Sequence, residues 1–395
     1  MRKTDVAIAG GGLAGSIAAA MLGRDGYDTV MIDPRPVYPP DFRCEKIDGS
    51  QMQVLEKTGL ADAVRRVSTA DKESWVARLG RVVEKRPGDQ QGILYDTLVN
   101  TIREEIPQSV TVIHDKVMEI ENSADRQTVT LSNGEQISAR LVIVANGLNL
   151  SLRQELGIER HVLSANHSTS IGFDVEPVGR PSFEFSSVTC YSERPSERVA
   201  YLTLFPIGSA MRANLFVYRD AKDPWLQRLR EAPVETMTEA MPRLLNVIGE
   251  FKVTGHIKIR PVDLYVSRGH EKPGMVLVGD AYSTSCPAAG TGVLKVFMDT
   301  ERLCNVYIPQ WLKTPGMAEE KIAAFYSDPV KMDCEAYCRE KAYNLRSISI
   351  DTSLPVAARR WIKFAGQLGR GTLRHAHAQM VPTSGRQVRD TTIGA

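Results

Sequence analysis

The stretch from Asp5 to Asp33 constrains the fold of this chain more than any other. Asp5-Val6-Ala7-Ile8-Ala9 is an apolar run of strand length, followed at once by Gly10-Gly11-Gly12-Leu13-Ala14-Gly15 and then by an Ala-rich helical segment, Ser16 to Leu22. A strand must therefore turn into a helix through glycines. In the spacing Gly10-x-Gly12-x-x-Gly15, Gly10 allows the tight turn, Gly12 lets the backbone approach a pyrophosphate, and Gly15 lets the helix pack close to the strand. The helix N-terminus then offers unpaired N–H groups to a diphosphate. The next apolar run, Thr29 to Ile32, ends in Asp33, where an acid is expected to bond a ribose hydroxyl. The stretch predicts a site for the adenosine half of a dinucleotide, without separating FAD from NAD(P).

Composition narrows the class. The chain has 395 residues, enough for two intimately packed domains, and its 49 basic and 47 acidic side chains leave a net charge of +2, which gives no nucleic-acid footprint. The six cysteines, Cys44, Cys190, Cys286, Cys304, Cys334 and Cys338, contain no CxxC pair, so neither a disulfide framework nor a zinc site is expected. With no long apolar run and a strand at the start, the expectation is a cytoplasmic enzyme without membrane contact.

After Asp33 the Pro-rich segment Pro34 to Pro40 reads as an extended loop, with a helix stopping at Gly59 beyond it. Between them Arg43 and Lys46 sit where a loop can reach a diphosphate or a flavin edge, and the arginine suits an anion better. Trp75 to Glu84 reads as strand, Tyr95 to Ile106 as amphipathic helix, and three short strands lead to a return strand, Ala139 to Val144. From about 160 to 265, alternating segments read as strands around one helical piece, Trp225 to Ile248, broken at Pro233 and Pro242, with Phe205-Pro206-Ile207-Gly208 as a turn. The apolar strand Met275 to Val278 then leads through Gly279-Asp280 and Pro287-Ala288-Ala289-Gly290-Thr291-Gly292 into a helix, Val293 to Cys304. This repeats the opening strand–turn–helix logic, and two such turns suggest a cofactor long enough to span both.

The Gly10–Gly15 turn, the Asn146-Gly147 element and the Gly279-Asp280 turn together resemble the signature motifs of FAD-dependent class A aromatic hydroxylases, the para-hydroxybenzoate hydroxylase-like group, over residues 3 to about 305. The resemblance implies an α/β fold: a Rossmann-like FAD-binding domain of glutathione reductase type with an inserted α+β substrate domain and a helical C-terminal region. The FAD-binding parts fall at 1–75, 96–158 and 269–305, the substrate-domain parts at 76–95 and 159–268, and the helical region at 306–395. It places FAD contacts on Gly10, Gly12, Leu13, Ala14, Gly15, Asp33, Pro34, Arg35, Arg43, Gly279, Asp280, Thr291 and Gly292. Pro287, Gly290 and Gly292 would stand at the isoalloxazine as the catalytic turn, and Tyr201, Phe205 and Arg212 would form the substrate wall.

The implied reaction is hydroxylation of an aromatic or heteroaromatic small molecule, with O₂ taken up by the reduced flavin as a C4a-hydroperoxide. Two departures bear on how the flavin is reduced. The family's Asp-Gly-x-x-Ser-x-x-Arg is Asn146-Gly147-Leu148-Asn149-Leu150-Ser151-Leu152-Arg153 here, and Tyr282-Ser283 stand where the family often has Ala-His. NADH, NADPH and a separate flavin reductase therefore stay open as electron sources, as does the oligomeric state. Rival readings are a flavin-dependent reductase or dehydrogenase of an unsaturated substrate, a halogenase and a non-catalytic flavoprotein. The halogenase reading is weakened because Ile308-Pro309-Gln310-Trp311 has the wrong order for its Trp motif. In the tail, Glu319 to Tyr326, Met332 to Leu345 and Val356 to Leu373 read as helices, the last one basic and expected to dock on the substrate domain, with binding to a membrane surface or a partner through its positive face as the alternative; His375 and His377 lack companions for a metal site.

Overall fold

The computed structural model describes residues 1–362 and 364–366. Its first sheet grows from the opening strand, Arg2–Ala9, which is buried from Val6 onward. Thr29–Ile32 pairs parallel on one side and is followed outward by Thr111–Ile113; Gln136–Val144 pairs parallel on the other. Gln136–Val144 takes the antiparallel strand Gln127–Leu131 along its first half and the parallel strand Met275–Leu277 along its second. Strands buried on both faces read as continuous apolar runs, which is why this sheet was visible in the sequence.

The second sheet has the order Phe251–Arg268, Glu159–Pro177, Ala210–Val217, Val199–Ile207, Ser187–Tyr191, Glu73–Arg78, Arg81–Pro87. Only the Ser187–Tyr191/Glu73–Arg78 pair is parallel. Its outer face is covered by the helices Pro224–Glu231, Pro233–Ala240 and Leu245–Ile248, which bury Trp225, Leu229, Met237 and Ile248 against Phe173, Leu204 and Leu215. Its inner face looks across the cavity toward the helix Gly292–Arg302 and the turn before it.

The structure corrects three sequence expectations. Phe205, Pro206 and Ile207 finish a strand, and the turn is the two-residue Gly208-Ser209. Beyond Leu204 that strand has lost its partner Ser187–Tyr191, and a strand paired on one side tolerates proline. The helix after Asp48 ends at Glu56, and Leu60 starts a second one, Ala61–Val67. Gly59 at φ +71° makes the break, while Asp48 caps the first helix by accepting from Gln51 N–H. The helix read from Met332 runs from Pro329 to Ile350, because Asp328 caps it by accepting from Lys331 N–H. Of the last predicted helix, residues 354–362 and 364–366 are helical; residues 367–373, and with them His375 and His377, lie outside the described residues.

Candidate functional site

The three motif glycines have three different surroundings. Gly10 has φ +111°, and a Cβ there would lie 2.7 Å from Ala145 O, so the turn and the neighbouring strand end both require glycine. A Cβ on Gly15 would lie 1.8 Å from Gly10 O: here the helix Leu13–Arg24 touches the strand's end. A Cβ on Gly12 would meet nothing within 4 Å, and this N-cap carries no side-chain bond, leaving the helix N-terminus open to a cavity.

That cavity, about 520 Å³, is lined by Gly10, Gly12, Leu13, Ala14, Asp33, Pro34 and Arg35 at one end and by Arg43, Gly279 and Asp280 at the other. The Asn146–Asn149 turn forms its side. Gly15 lies behind the lining, where it packs. Asp33 is buried; burial raises its pKa, but Arg35 and the Gly11 N–H, which donates to it at 2.8 Å, hold it below the usual carboxylate range. Arg103, which the sequence reading passed over, lies 3.2 Å from Asp33 and donates through Nε to Gly11 O at 2.8 Å. Its signal was an arginine in the last turn of a helix whose opposite face is apolar.

Arg43 stands at the inner end of this cavity. It donates to Asp41 at 2.6 Å and to Asp280 at 2.7 Å, and Arg260 donates to Asp41 at 2.8 Å. Burial works against the Arg43 charge, but Tyr95, Asp280 and Asp41 outweigh it and its pKa is raised. Arg260 comes from the second sheet, so this relay ties the loop after Pro40 to both sheets.

A second cavity, about 190 Å³, continues from the first: Leu13, Arg43, Tyr95, Leu148, Asp280 and Val296 line both. Its walls are largely apolar, with Phe42, Phe216, Val262 and Val293. Pro287, Gly290 and Gly292 stand on its rim, Gly290 at φ +65°. Cβ atoms on Gly290 and Gly292 would again meet nothing within 4 Å. Thr291, between them, is buried and does not reach the cavity. Gly292 opens the helix Gly292–Arg302, whose N-cap lacks a side-chain bond.

Of the three residues expected at a substrate wall, one borders this cavity. Tyr201 lines the cavity and donates to Ala288 O at 2.6 Å, holding the Pro287–Gly290 turn against the sheet. Phe205 and Arg212 do not line it. Opposed pairs on this face run Tyr201/Phe216, Thr203/Asn214, Phe205/Arg212, and the cavity covers the first two pairs only. Arg212 lies one pair too far along and is engaged by Glu45 and Asp174, each at 3.3 Å. Arg153 is buried and donates to Ala281 O, Gly147 O and Asn149 O, bolting the middle turn to the Gly279–Ala281 turn.

A third cavity, about 610 Å³, runs beneath the helix Pro329–Ile350 and shares Lys46, Tyr201 and Gly290 with the second. Among the described residues no group of side chains is set to hold a metal, and no helix is long and apolar enough to cross a membrane.

Comparison with known proteins agrees with this architecture. The FAD binding domain family matches residues 3–307. The chain is 26% identical to 3-demethoxyubiquinol 3-hydroxylase of Escherichia coli K12 over 330 residues, 78% of this chain and 80% of that protein. It is 25% identical to digeranylgeranylglycerophospholipid reductase of Thermoplasma acidophilum over 317 residues, 74% of this chain and 75% of that protein. Among solved structures, p-nitrophenol 4-monooxygenase from Pseudomonas putida superposes with a TM-score of 0.73 at 16% identity, over 98% of this chain and 100% of that one.

Proposed function

The chain belongs to the FAD binding domain family, and from that premise we propose that it is an FAD-dependent monooxygenase hydroxylating an aromatic or heteroaromatic small molecule. The observation that carries the reading is the continuity of a glycine-cradled cavity, long enough in its lining to run from Asp33 to Asp280, with an apolar cavity walled by the second sheet. Open space over Gly12, Gly290 and Gly292 fits a dinucleotide whose diphosphate meets one helix N-terminus and whose ring meets the other.

The bound flavin supplies the redox and oxygen chemistry; the protein supplies orientation, electrostatics and exclusion of water. Gly12, Leu13 and Ala14 would present backbone N–H groups to the diphosphate, Asp33 and Arg35 the adenosine end, and Asp280 with Arg43 the ribityl chain. The Pro287–Gly292 turn would set backbone N–H groups toward the ring, where charge develops on reduction. Tyr201, by holding Ala288 O, fixes that turn relative to the substrate wall. Phe42, Phe216 and Val262 would pack a ring-shaped substrate and keep water out.

The similarity to a reductase from Thermoplasma acidophilum favours a second reading, reduction of an unsaturated substrate. One experiment separates them. Purified holoenzyme is reduced anaerobically with NADH, NADPH or a chemical reductant, its visible flavin absorbance is followed, and O₂ is then admitted with a panel of phenols and heteroaromatics. Substrate-dependent O₂ consumption with an equivalent of oxygenated product is the expected result. Reoxidation coupled to saturation of a substrate double bond without O₂ uptake establishes the reductase. Flavin that bleaches with neither nucleotide, yet reacts with O₂ once chemically reduced, assigns electron delivery to a separate flavin reductase.

A further inference from the structure

Lys46 is the charged side chain on the cavity wall that has no carboxylate in direct contact; Asp71 and Asp48 act on it from farther off. It belongs to a two-residue strand, Lys46–Ile47, pinned antiparallel against Gln91–Gly92. Ile47 is completely buried in the core, and strand alternation sends Lys46 the other way, to the cavity side. There Nζ donates to Thr203 Oγ1 at 3.2 Å and lies 5.0 Å from the centre of the Phe205 ring. Among the described residues no carboxylate oxygen lies within 4.0 Å of it.

The other charged groups lining the same cavity are all matched. Arg43 has Asp41 and Asp280, Arg260 has Asp41, and Glu45 has Arg212 together with Asn214, which donates to it at 2.8 Å. A half-buried ammonium that touches only a hydroxyl and an aromatic face, with Asp71 and Asp48 farther off, is costly to keep charged. Burial accordingly pushes the Lys46 pKa down to about 8. Lys46 also lines the 610 Å³ cavity but not the one that begins at Gly10, so it faces away from the diphosphate that the sequence reading had offered it.

We propose that Lys46 is a substrate-positioning residue that receives an oxyanion, so that the molecule oxidised here is an aromatic acid or an ionised phenol, anchored beside the Pro287–Gly290 turn. This rests on the monooxygenase reading and narrows it. A lysine is a compact point charge without the fixed fork of arginine, so it accepts a carboxylate or a phenolate oxygen alike. The apolar cavity takes the ring, Lys46 holds the anion at the border with the larger cavity, and the remainder of a longer substrate extends beneath the Pro329–Ile350 helix.

The test uses FAD-loaded enzyme and three probes: benzoate, 4-nitrophenolate and neutral benzamide. Binding is read by perturbation of the flavin spectrum and by calorimetry in the wild type, Lys46→Met and Lys46→Arg. FAD content and melting temperature of each protein are measured beforehand. The wild type is expected to bind benzoate, 4-nitrophenolate or both at least about tenfold more tightly than benzamide. Which anion is preferred tells a carboxylate substrate from a phenolic one. Lys46→Met should lose that preference while keeping its FAD and its benzamide affinity within about twofold, and Lys46→Arg should recover part of it. The proposal is overturned if the wild type prefers neither anion, which includes binding none of the probes, or if the preference survives in Lys46→Met. It is overturned equally if Lys46→Met folds but loses FAD, which would make Lys46 a cofactor ligand. Wild-type protein that takes up no FAD defeats the monooxygenase reading instead, and that result is seen before any probe is added.

Discussion

Arg43 Nη1 lies 2.7 Å from Asp280 Oδ2, joining residues 237 positions apart where the dinucleotide cavity opens into the apolar one. Asp41 and Arg260 extend the contact into a four-residue chain of alternating charge. Replacing Asp280 with alanine removes an anion from Arg43 and a hydrogen-bond acceptor from the proposed cofactor site. FAD affinity of the apoprotein should fall by about ten- to a hundredfold, the worth of one charged hydrogen bond. Fluorescence titration with FAD measures this, and an affinity within twofold of wild type would remove Asp280 from the site.

Gly12 and Gly15 make an internal control for each other. Alanine at Gly15 drives a methyl group into Gly10 O, so Gly15→Ala should lower the stability of the apoprotein by about 2 kcal/mol or more. Alanine at Gly12 meets no protein atom, and the backbone there, at φ −75°, accepts it. Gly12→Ala should melt within about 2 °C of wild type as apoprotein and yet bind FAD poorly. Thermal melts and flavin stoichiometry on both variants decide it; a Gly12→Ala protein that keeps its flavin would argue against close approach of the diphosphate.

Titration of Lys46 gives a pH dependence of definite sign. Its pKa of about 8 lies below the ordinary lysine value of 10.5, chiefly through burial, with Asp71, Asp48 and Cys44 pulling it up and Arg86 pushing it down. A base depressed in the folded state binds its proton more weakly there than in the unfolded chain. The stability cost of its charge is therefore full below about pH 8 and fades as pH rises toward 10.5. Benzoate affinity should decline as pH is raised through 8, and the wild type should gain melting temperature over the same range relative to Lys46→Met. Parallel curves for the two proteins would show that the charge is not felt.

Glu45 and Arg212 form a buried pair, with Nε 3.3 Å from Oε2. Burial raises the Glu45 pKa while Arg212 and Asn214 oppose the rise. Arg212→Met takes the cation from the buried carboxylate, leaving Asn214 as its donor, and should cost about 3 kcal/mol of stability. Adding Glu45→Gln should recover most of that loss, a coupling that a double-mutant cycle in denaturant reads directly. Additive effects would mean that the pair is not a unit.

What was legible in the sequence was contiguous. The turns at Gly10–Gly15 and Gly279–Gly292 announce themselves because backbone geometry restricts residue type within a few positions. Side-chain partnerships across the fold left no such mark. Arg43 was singled out for its position in a loop, yet its partners Asp41 and Asp280 could not be paired with it, and Arg260 and Arg103 passed unnoticed as strand and helix residues. Arg212 was expected in the substrate wall and its cross-strand partner Phe205 shares a face with Tyr201, but alternation fixes the face and not the distance along it. Only the register against Phe205 shows that it falls beyond the cavity.

The order of strands in the first sheet also sets a timetable for synthesis. Gln136–Val144 receives its parallel neighbour Arg2–Ala9 early, but the partner along its second half, Met275–Leu277, is roughly 130 residues further on. At ribosomal speed that is a delay of about ten seconds, during which an apolar strand edge has no mate. The intervening chain supplies five of the second sheet's seven strands, Glu73–Arg78 and Arg81–Pro87 having been made before Gln136, so every strand of that sheet is synthesised before the turn carrying Asp280 exists. Aggregation during expression is therefore expected to depend on what shields that edge, and truncations ending before residue 275 should be captured by chaperones even where their second sheet has folded.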